Sequence, residues 1–328
     1  MNDAPHRRPF IQGTPMARHV ATIVLLCATS LLRAQQPAES PYTLKQVGPN
    51  AWAAIDNSNA KAPAGANAGF VIGDDGVVVI DTFASADAAT RLLADIRMRT
   101  AAPVKFVVNT HYHADHAAGN AVFANAGATV VAQRNVRGWI HTANLKFLGP
   151  NPKPEQKAFI DTLRLPVVSY EQTLDLYIGS REVRIRSFPG HTGGDSVVLV
   201  PDARVAFGGD LFWRNTAPNM IDASTTPWIA TLESLSKSAT SYTFVPGHGD
   251  VGNAGDLTAF RDYLVTLQKA VADAQSQRLT GDALVKAVMP RLSQQYGQLQ
   301  FFAVLAPANI AQMDAELSGK KAVPRPQP

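Results

Sequence analysis

Cysteine is almost missing from this chain. Only one of the 328 residues is a cysteine, Cys27, and it lies in a leading segment that we predict to be removed. The rest of the chain therefore has no disulfide bond and no thiolate that could bind a metal. Any metal in the mature protein must be held by nitrogen and oxygen atoms alone.

A long apolar run is also missing near the N-terminus. The apolar run there covers only residues 20–32, whereas a spanning helix needs roughly 20 residues. Arginines precede this run and Arg33-Ala34 follows it, a pattern typical of a secretory signal cleaved near Ala34, and the alternative is a retained membrane anchor. We expect a periplasmic or secreted protein without stable membrane insertion after cleavage, translated from Met1 or Met16.

An excess of charge of either sign is absent once the predicted signal is set aside. The whole chain has a net charge of +4, but residues 1–34 contain four arginines and one aspartate, so 26 basic and 25 acidic residues remain. A net charge of +1 gives no support for nucleic-acid binding, and we expect a small molecule as the substrate. The composition does not indicate an oligomeric state.

Segments of strand and helix character alternate through the chain. The predicted strands are Thr43–Val47, Trp52–Ile55, Gly69–Ile72, Val77–Ile80, Val104–Asn109, Ala128–Ala132, Leu174–Ile178, Val183–Ser187, Val197–Val200, Arg204–Phe207 and Tyr242–Val245. The predicted helices are Ala84–Thr100, a segment from Gln133, Pro227–Ser238, Ala254–Gln275, Gly281–Met289 and Tyr296–Leu317. This order predicts an α/β fold with two sheets packed inside and helices outside.

The predicted domain organisation is simple. Residues 1–34 form the signal peptide, residues 35–41 a linker, residues 42–320 one catalytic domain and residues 321–328 a disordered, proline-rich tail. Within the domain, Leu148–Lys157 contains three prolines and is predicted to be a surface loop.

Histidine is scarce except in one short segment. Residues 111–116 read His-Tyr-His-Ala-Asp-His, which places three imidazoles and a carboxylate within six residues. Beyond residue 34 the chain has only three further histidines, His141, His191 and His248, and the last two follow Pro-Gly pairs. This density of nitrogen and oxygen ligands predicts a metal site, whereas the isolated His141 is interpreted as a structural residue.

The candidate ligands follow predicted strands that are far apart in sequence. The 111–116 segment follows one strand, and His191, Asp210 and His248 each follow another. Loops at the same end of adjacent strands converge in space, so these residues can share one site.

The complete set resembles the metallo-β-lactamase superfamily, whose signature is His-x-His-x-Asp-His followed by later His, Asp and His residues. The resemblance extends from the first strands through Val79-Ile80-Asp81-Thr82 to Pro246-Gly247-His248-Gly249. It implies a four-layer αββα sandwich and an exported dinuclear zinc hydrolase. The oxygen-rich ligand set suits two Zn²⁺ ions per chain, although iron and manganese are compatible with the same residue types.

Residue roles are carried over from this resemblance. It implies one metal on His111, His113 and His191, a second on Asp115, His116 and His248, and Asp210 bridging both. Asp81 resembles the family's carboxylate that orients the histidine segment. Asp115 is the predicted catalytic residue, acting with a metal-bound hydroxide that attacks the substrate carbonyl. No Gly-x-Ser-x-Gly nucleophile is present.

The substrate is less clearly indicated. β-Lactamases with a thiolate ligand have Cys at the position of Asp210 and Lys three residues later, where this chain has Trp213. The aspartate resembles glyoxalase II-type thioesterases and lactonases. We expect hydrolysis of a cyclic amide or ester, β-lactam-like as the first choice. The alternatives are a lactonase or thioesterase and, in another class, an oxidoreductase resembling the mononuclear iron sulfur dioxygenases.

Five residues near the predicted metals are candidate substrate contacts. Tyr112 lies between two predicted ligands and either faces the cleft or is buried. The others follow Asp210 and could wall the pocket or orient an anionic substrate: Trp213, Arg214, Asn215 and Asn219.

Overall fold

Two β-sheets carry most of the alternating apolar residues of the chain. The computed structural model describes residues 39–57 and 59–324. The predicted signal peptide, most of the predicted linker and residues 325–328 of the predicted tail lie outside the described residues. The strands are β1 Tyr42–Gly48, β2 Ala51–Asp56, β3 Ala68–Ile72, β4 Val77–Ile80, β5 Val104–Asn109, β6 Thr129–Gln133, β7 Val168–Tyr170, β8 Thr173–Ile178, β9 Arg181–Ser187, β10 Ser196–Val200, β11 Val205–Trp213 and β12 Thr243–His248.

The helices lie between and after these strands. They are α1 Ala86–Arg97, α2 Ala114–Ala117, α3 Asn120–Asn125, α4 Arg134–Trp139, α5 Pro154–Thr162, α6 Thr225–Ser238, α7 Ala254–Ser276, α8 Gly281–Tyr296 and α9 Phe302–Leu317, with a 3₁₀ helix at Asn144–Leu148. Among the described residues, no helix is both long and apolar enough to cross a bilayer.

The strand order places the carboxyl ends of several strands together. In the first sheet the order is β1-β2-β3-β4-β5-β6-β7, and strands β4 to β7 run parallel. In the second sheet the order is β12-β11-β10-β9-β8, and only β11 and β12 run parallel. Parallel neighbours end at the same edge, so segments that follow β4 and β5 meet there.

Alternation along the strands divides the apolar side chains between layers. On β4, Val78 and Ile80 belong to the core between the two sheets, whereas Val77 and Val79 pack with α1 on the outer face. On β12, Val245 belongs to the inner core and Phe244 to the core that contains α6 to α9. The chain is therefore a four-layer αββα sandwich, as the strand and helix pattern predicts.

Several local predictions differ from the structure. Leu148–Lys157 is not wholly a loop: it begins at the end of the 3₁₀ helix, and α5 starts at Pro154, because proline is favourable in the first turn of a helix. The short strand β7 was not predicted. Helix α8 runs past the predicted end at Met289 to Tyr296, and α9 begins at Phe302, six residues after the predicted start. Strands β11 and β12 run past their predicted ends and include Asp210 and His248.

Candidate metal centre

Seven predicted ligands meet at one edge of the two sheets. The histidine segment follows β5, and its second half forms the short helix α2. His191 lies in the connection between β9 and β10, Asp210 lies within β11, and His248 is the last residue of β12. The structure thus brings together side chains that are up to 137 positions apart in the sequence.

These side chains form two groups that could each hold a metal ion. In each group, the candidate ligand atoms all lie within 4.8 Å of one another. We call the first group cluster A; its members are His111, His113, His191 and Asp210. We call the second group cluster B; its members are Asp115, His116 and His248.

The carboxylate of Asp210 faces both clusters. Its Oδ2 lies 3.2 Å from Nε2 of His191 and 3.8 Å from Nε2 of His111. Its Oδ1 lies 3.1 Å from Nε2 of His116 and 3.5 Å from Nε2 of His248. This position is the one that a carboxylate shared by two metal ions would require.

Unpartnered buried atoms provide a test of whether a metal fits. Buried polar atoms in folded proteins nearly always have a hydrogen-bond partner. Here, Nε2 of His111, His116 and His248 and Oδ1 of Asp210 are buried, and none has a partner in hydrogen-bonding geometry, although these atoms are close to one another. All four point into the same space, and nitrogen and carboxylate oxygen are the donors that zinc accepts. The residues present therefore fit a metal pair.

Asp81 holds the histidine segment in place. Its Oδ1 accepts a hydrogen bond from the backbone N–H of Thr110 at 2.8 Å. Its Oδ2 accepts from the Thr110 hydroxyl at 2.7 Å and lies 2.9 Å from Nδ1 of His116. Asp81 has φ of 56°, a conformation that costs energy for a residue other than glycine. This buried carboxylate turns Nε2 of His116 towards Asp210.

A second buried carboxylate, Asp222, contacts His113 and was missed by the sequence reasoning. Asp222 Oδ2 accepts a hydrogen bond from the Tyr112 hydroxyl and lies 3.2 Å from Nε2 of His113, while its Oδ1 contacts Nζ of Lys146. Nδ1 of His113 then faces Nε2 of His191 at 3.0 Å. Asp222 lies twelve residues after Asp210 in a segment without a motif, so no sequence signal distinguished it.

The two clusters differ in charge. In cluster A, burial lowers the pKa of His191 to about 3 and the pKa of His111 well below its usual value. In cluster B, burial opposes protonation of His248, but the nearby carboxylates of Asp210 and Asp115 raise its pKa to about 9. His111 and His191 of cluster A are thus neutral, the form that binds metals, whereas metal binding at His248 in cluster B must displace a proton.

The pKa values of the two carboxylates, Asp115 and Asp210, are lowered by the imidazoles around them. Desolvation opposes the charged form of Asp115, but His116 and His248 outweigh it and lower its pKa to about 2. Burial likewise opposes ionisation of Asp210, and the surrounding imidazoles, first His248 and then His116, hold its pKa well below its usual value. Both carboxylates are therefore ionised at neutral pH and available as ligands.

A cavity of about 390 Å³ opens directly above the clusters. It is bordered by His113, Asp115, Asp210 and His248 from the clusters. Its other lining residues are Ala84, Ala114, Asn144, Phe147, Leu148, Phe159, Ile160, Trp213 and Asn219. Trp213 stacks on His248 with ring centroids 4.1 Å apart and so fixes one wall of the cavity.

The predicted substrate contacts separate into two groups. Trp213 and Asn219 line the cavity above the clusters. Arg214 and Asn215 do not; they line a neighbouring cavity, and Nε of Arg214 pairs with Asp256 at 3.1 Å. Tyr112 is buried and donates its hydroxyl to Asp222, which leaves it no position on the cavity surface. Arg214 follows the last residue of β11, and its guanidinium lies against Asp256 rather than on the cavity above the clusters.

Comparison with known proteins agrees with this architecture. A family model for the metallo-beta-lactamase superfamily matches residues 62–248, a range that contains every member of both clusters. A metallo-beta-lactamase from Pontibacter korlensis has a similar fold, with a TM-score of 0.55 and 22% sequence identity over 68% of this chain and 99% of that structure.

Two sequence relatives have different named activities. The linear primary-alkylsulfatase of Pseudomonas sp. (strain ATCC 19151) is 24% identical over 65% of this chain, and the match spans about half, 48%, of that relative. The metallo-beta-lactamase type 2 of Bacillus sp. (strain 170) is 24% identical over 68% of this chain and 82% of that relative. Because these two relatives have different named activities and each is only 24% identical to this chain, they do not indicate a single substrate.

Proposed function

Because this chain belongs to the metallo-beta-lactamase superfamily, we propose that it is a zinc-dependent hydrolase that opens a cyclic amide or ester, with a β-lactam-like ring as the first class to test. The observation that supports this proposal is the Asp210 carboxylate, which faces unpartnered imidazole nitrogens on both sides. Cluster A would hold one zinc ion and cluster B the second.

Bound zinc would polarise the substrate carbonyl and lower the pKa of water to roughly 7, which supplies a nucleophile at neutral pH. The chain's own residues must then position the substrate and manage protons. Asp115 is suited to proton transfer because its side chain is 36% exposed and borders the cavity, whereas His116 is fully buried. Its carboxylate would accept the proton that the attacking water loses and return it to the leaving nitrogen or oxygen.

Two buried carboxylates hold histidines of the clusters in position. Asp81 and Asp222 contact the ring nitrogens of His116 and His113 that face away from the clusters. A carboxylate on the far nitrogen fixes the tautomer and ring orientation of a metal-binding histidine and makes it more basic. These contacts keep the site in one arrangement as a substrate binds.

Sulfate-ester hydrolysis is a second candidate because of the similarity to the alkylsulfatase. In such a reaction the same two clusters would face a sulfate ester instead of a carbonyl. Since the match covers about half of that relative, the activity has to be tested directly on this chain.

A hydrolysis screen of the zinc-loaded protein tests the proposal. Chromogenic β-lactams, lactones, thioesters and alkyl sulfates should be compared, with the Asp115→Ala variant as the control. We expect turnover of a cyclic amide or ester at least a hundredfold above the variant, because Asp115→Ala removes both a proton-transfer group and a member of cluster B. Turnover of sulfate esters alone would favour the second candidate, and a rate equal to the variant on every substrate would contradict both.

A further inference from the structure

The wall of the cavity above the clusters is apolar on the side that does not carry ligands. The 3₁₀ helix contributes Phe147 and Leu148, and α5 contributes Phe159 and Ile160. Ile160 is fully buried in a small core with Ile140, so this wall is anchored to the rest of the protein. The wall consists of four apolar side chains that converge on one space.

Two of these side chains remain accessible to water at the cavity mouth. Phe147 is 40% exposed and Phe159 is 43% exposed. Large apolar side chains that are grouped around a cleft and left uncovered are typical of a binding surface. The Phe147 ring also meets the His113 ring edge to face, with centroids 4.9 Å apart, so the apolar wall begins next to cluster A.

Neither lysine nor arginine is present among the described residues that line this cavity, and its two histidines lie on the side that carries the ligands. Nζ of Lys146 lies 5.5 Å from the centroid of the Phe147 ring, but it is bound to the carboxylate of Asp222 and borders a different cavity. Arg214 lies beyond Trp213 and pairs with Asp256. An anionic group on the part of the substrate that contacts this wall would therefore be desolvated without a compensating side-chain charge.

From these observations we infer that the substrate is an ester or amide whose non-reacting arm is apolar and uncharged and lies along Phe147, Leu148, Phe159 and Ile160. This inference rests on the proposed hydrolase function and specifies its substrate class. It disfavours β-lactams that carry a carboxylate beside the ring, because the cavity offers that group no lysine or arginine. It favours lactones and esters with an alkyl or aryl arm.

A chain-length series tests the inference. Nitrophenyl acetate, butyrate, hexanoate and octanoate should be compared on the zinc-loaded protein, and we expect kcat/KM to rise about threefold to fourfold for each methylene that enters the cavity. The hexanoate should also be compared with the nitrophenyl monoester of adipic acid, which ends the same arm with a carboxylate. We expect this monoester to react at least tenfold more slowly.

Variants of Phe159 connect the preference to the wall. Phe159→Ala should flatten the chain-length dependence, Phe159→Leu should retain most of it, and Phe159→Lys should reverse the preference towards the adipate monoester. Phe301→Ala is the matched control, because Phe301 is also an exposed phenylalanine, at 53%, and lies in the turn before α9. Equal kcat/KM for acetate and octanoate, or an effect of Phe301→Ala as large as that of Phe159→Ala, would overturn the inference.

Binding without turnover separates this inference from the proposed function. Calorimetry of the metal-free protein with 2-butanone, 2-hexanone and 2-octanone measures the wall alone, and we expect Kd to fall with chain length in the wild type but not in Phe159→Lys. If no ester or amide is hydrolysed, the proposed function fails while this binding result still decides the inference. A Kd that does not change with ketone length refutes the inference even if hydrolysis is observed.

Discussion

Individual buried carboxylates that contact the far ring nitrogens of the histidines determine the orientation of the candidate ligands. Asp222 is buried and contacts Tyr112, His113 and Lys146 at once. The pKa of Asp222 is about 2, because hydrogen bonds from its partners, His113 first, outweigh the cost of burial. It is therefore ionised throughout the physiological range and stabilises one orientation of the His113 ring.

Asp222→Asn should weaken zinc binding by about ten- to a hundredfold, the usual effect of removing a carboxylate that orients a metal-binding histidine. Competition with a chromophoric chelator measures this change. The matched control is Asp202→Asn, since Asp202 is an exposed aspartate that pairs with Arg181 on β9. Zinc affinity that is equal in the two variants would show that Asp222 has no positioning role.

The raised pKa of His248 predicts how stability depends on pH in the metal-free protein. The folded value of about 9 lies above the ordinary value of 6.5, so the stabilisation is fully present below 6.5 and is lost as the pH rises through about 9. We expect the thermal midpoint of metal-free protein to fall by several degrees across this window. Differential scanning fluorimetry at a series of pH values measures it.

Two comparisons isolate the contribution of His248. The His248→Gln variant should lose part of this pH dependence, because glutamine has no proton to release. His116 should keep the rest, since burial opposes its protonation but Asp210, Asp115 and Asp81 raise its pKa well above the usual value. Zinc-loaded wild type should also lack it, since a bound metal replaces the proton. An unchanged slope in both samples would assign the pH dependence to other groups.

At the scale of elements, β11 and β12 place the shared carboxylate. They run in parallel with register irregularities between Phe207 and Trp213, and Gly247 lies against the Asp210 carboxylate. A Cβ at Gly247 would lie 1.9 Å from Oδ1 of Asp210, which no real contact allows. The glycine in Pro246-Gly247-His248 is therefore needed for close approach between the two strands.

Gly247→Ala should consequently displace Asp210 and lower the metal content while the fold is retained. Gly208→Ala is a suitable control on β11, because a Cβ there would meet its nearest neighbour, Phe212, at an ordinary 3.5 Å. Metal analysis with circular dichroism of both variants checks this. Full zinc content in Gly247→Ala would contradict the placement of Asp210 between the strands.

The elements near the site differ in how well the sequence predicted their bounds. The core strands β4 and β5 were predicted with their observed bounds, because short, mainly apolar runs between turn residues are a strong local signal. The segment from the 3₁₀ helix to α5 was predicted poorly, because its prolines indicate a loop and its apolar residues follow no clear period. That segment nevertheless forms the wall of the cavity.

At the scale of the whole molecule, the two clusters should link metal content to stability. We expect two zinc ions per chain, and we expect Asp115→Ala to retain one, because cluster A does not include Asp115. Zinc should raise the thermal midpoint of the wild type, since a ligand that binds only the folded state stabilises it. Elemental analysis after gel filtration measures the ratio, and a single iron per chain would instead favour the oxidoreductase alternative.

The sequence by itself determined the family, the αββα architecture and the set of seven candidate ligands. Histidines and aspartates at fixed spacings are local patterns, and Pro-Gly-His turns after apolar strands are readable without coordinates. Only the tertiary structure decided that Tyr112 is buried, that Arg214 faces away from the cavity and that Asp222 and Lys146 support His113. The physical reason is that contacts between segments depend on strand register and side-chain direction, and a one-residue shift on a strand reverses the face on which a side chain lies.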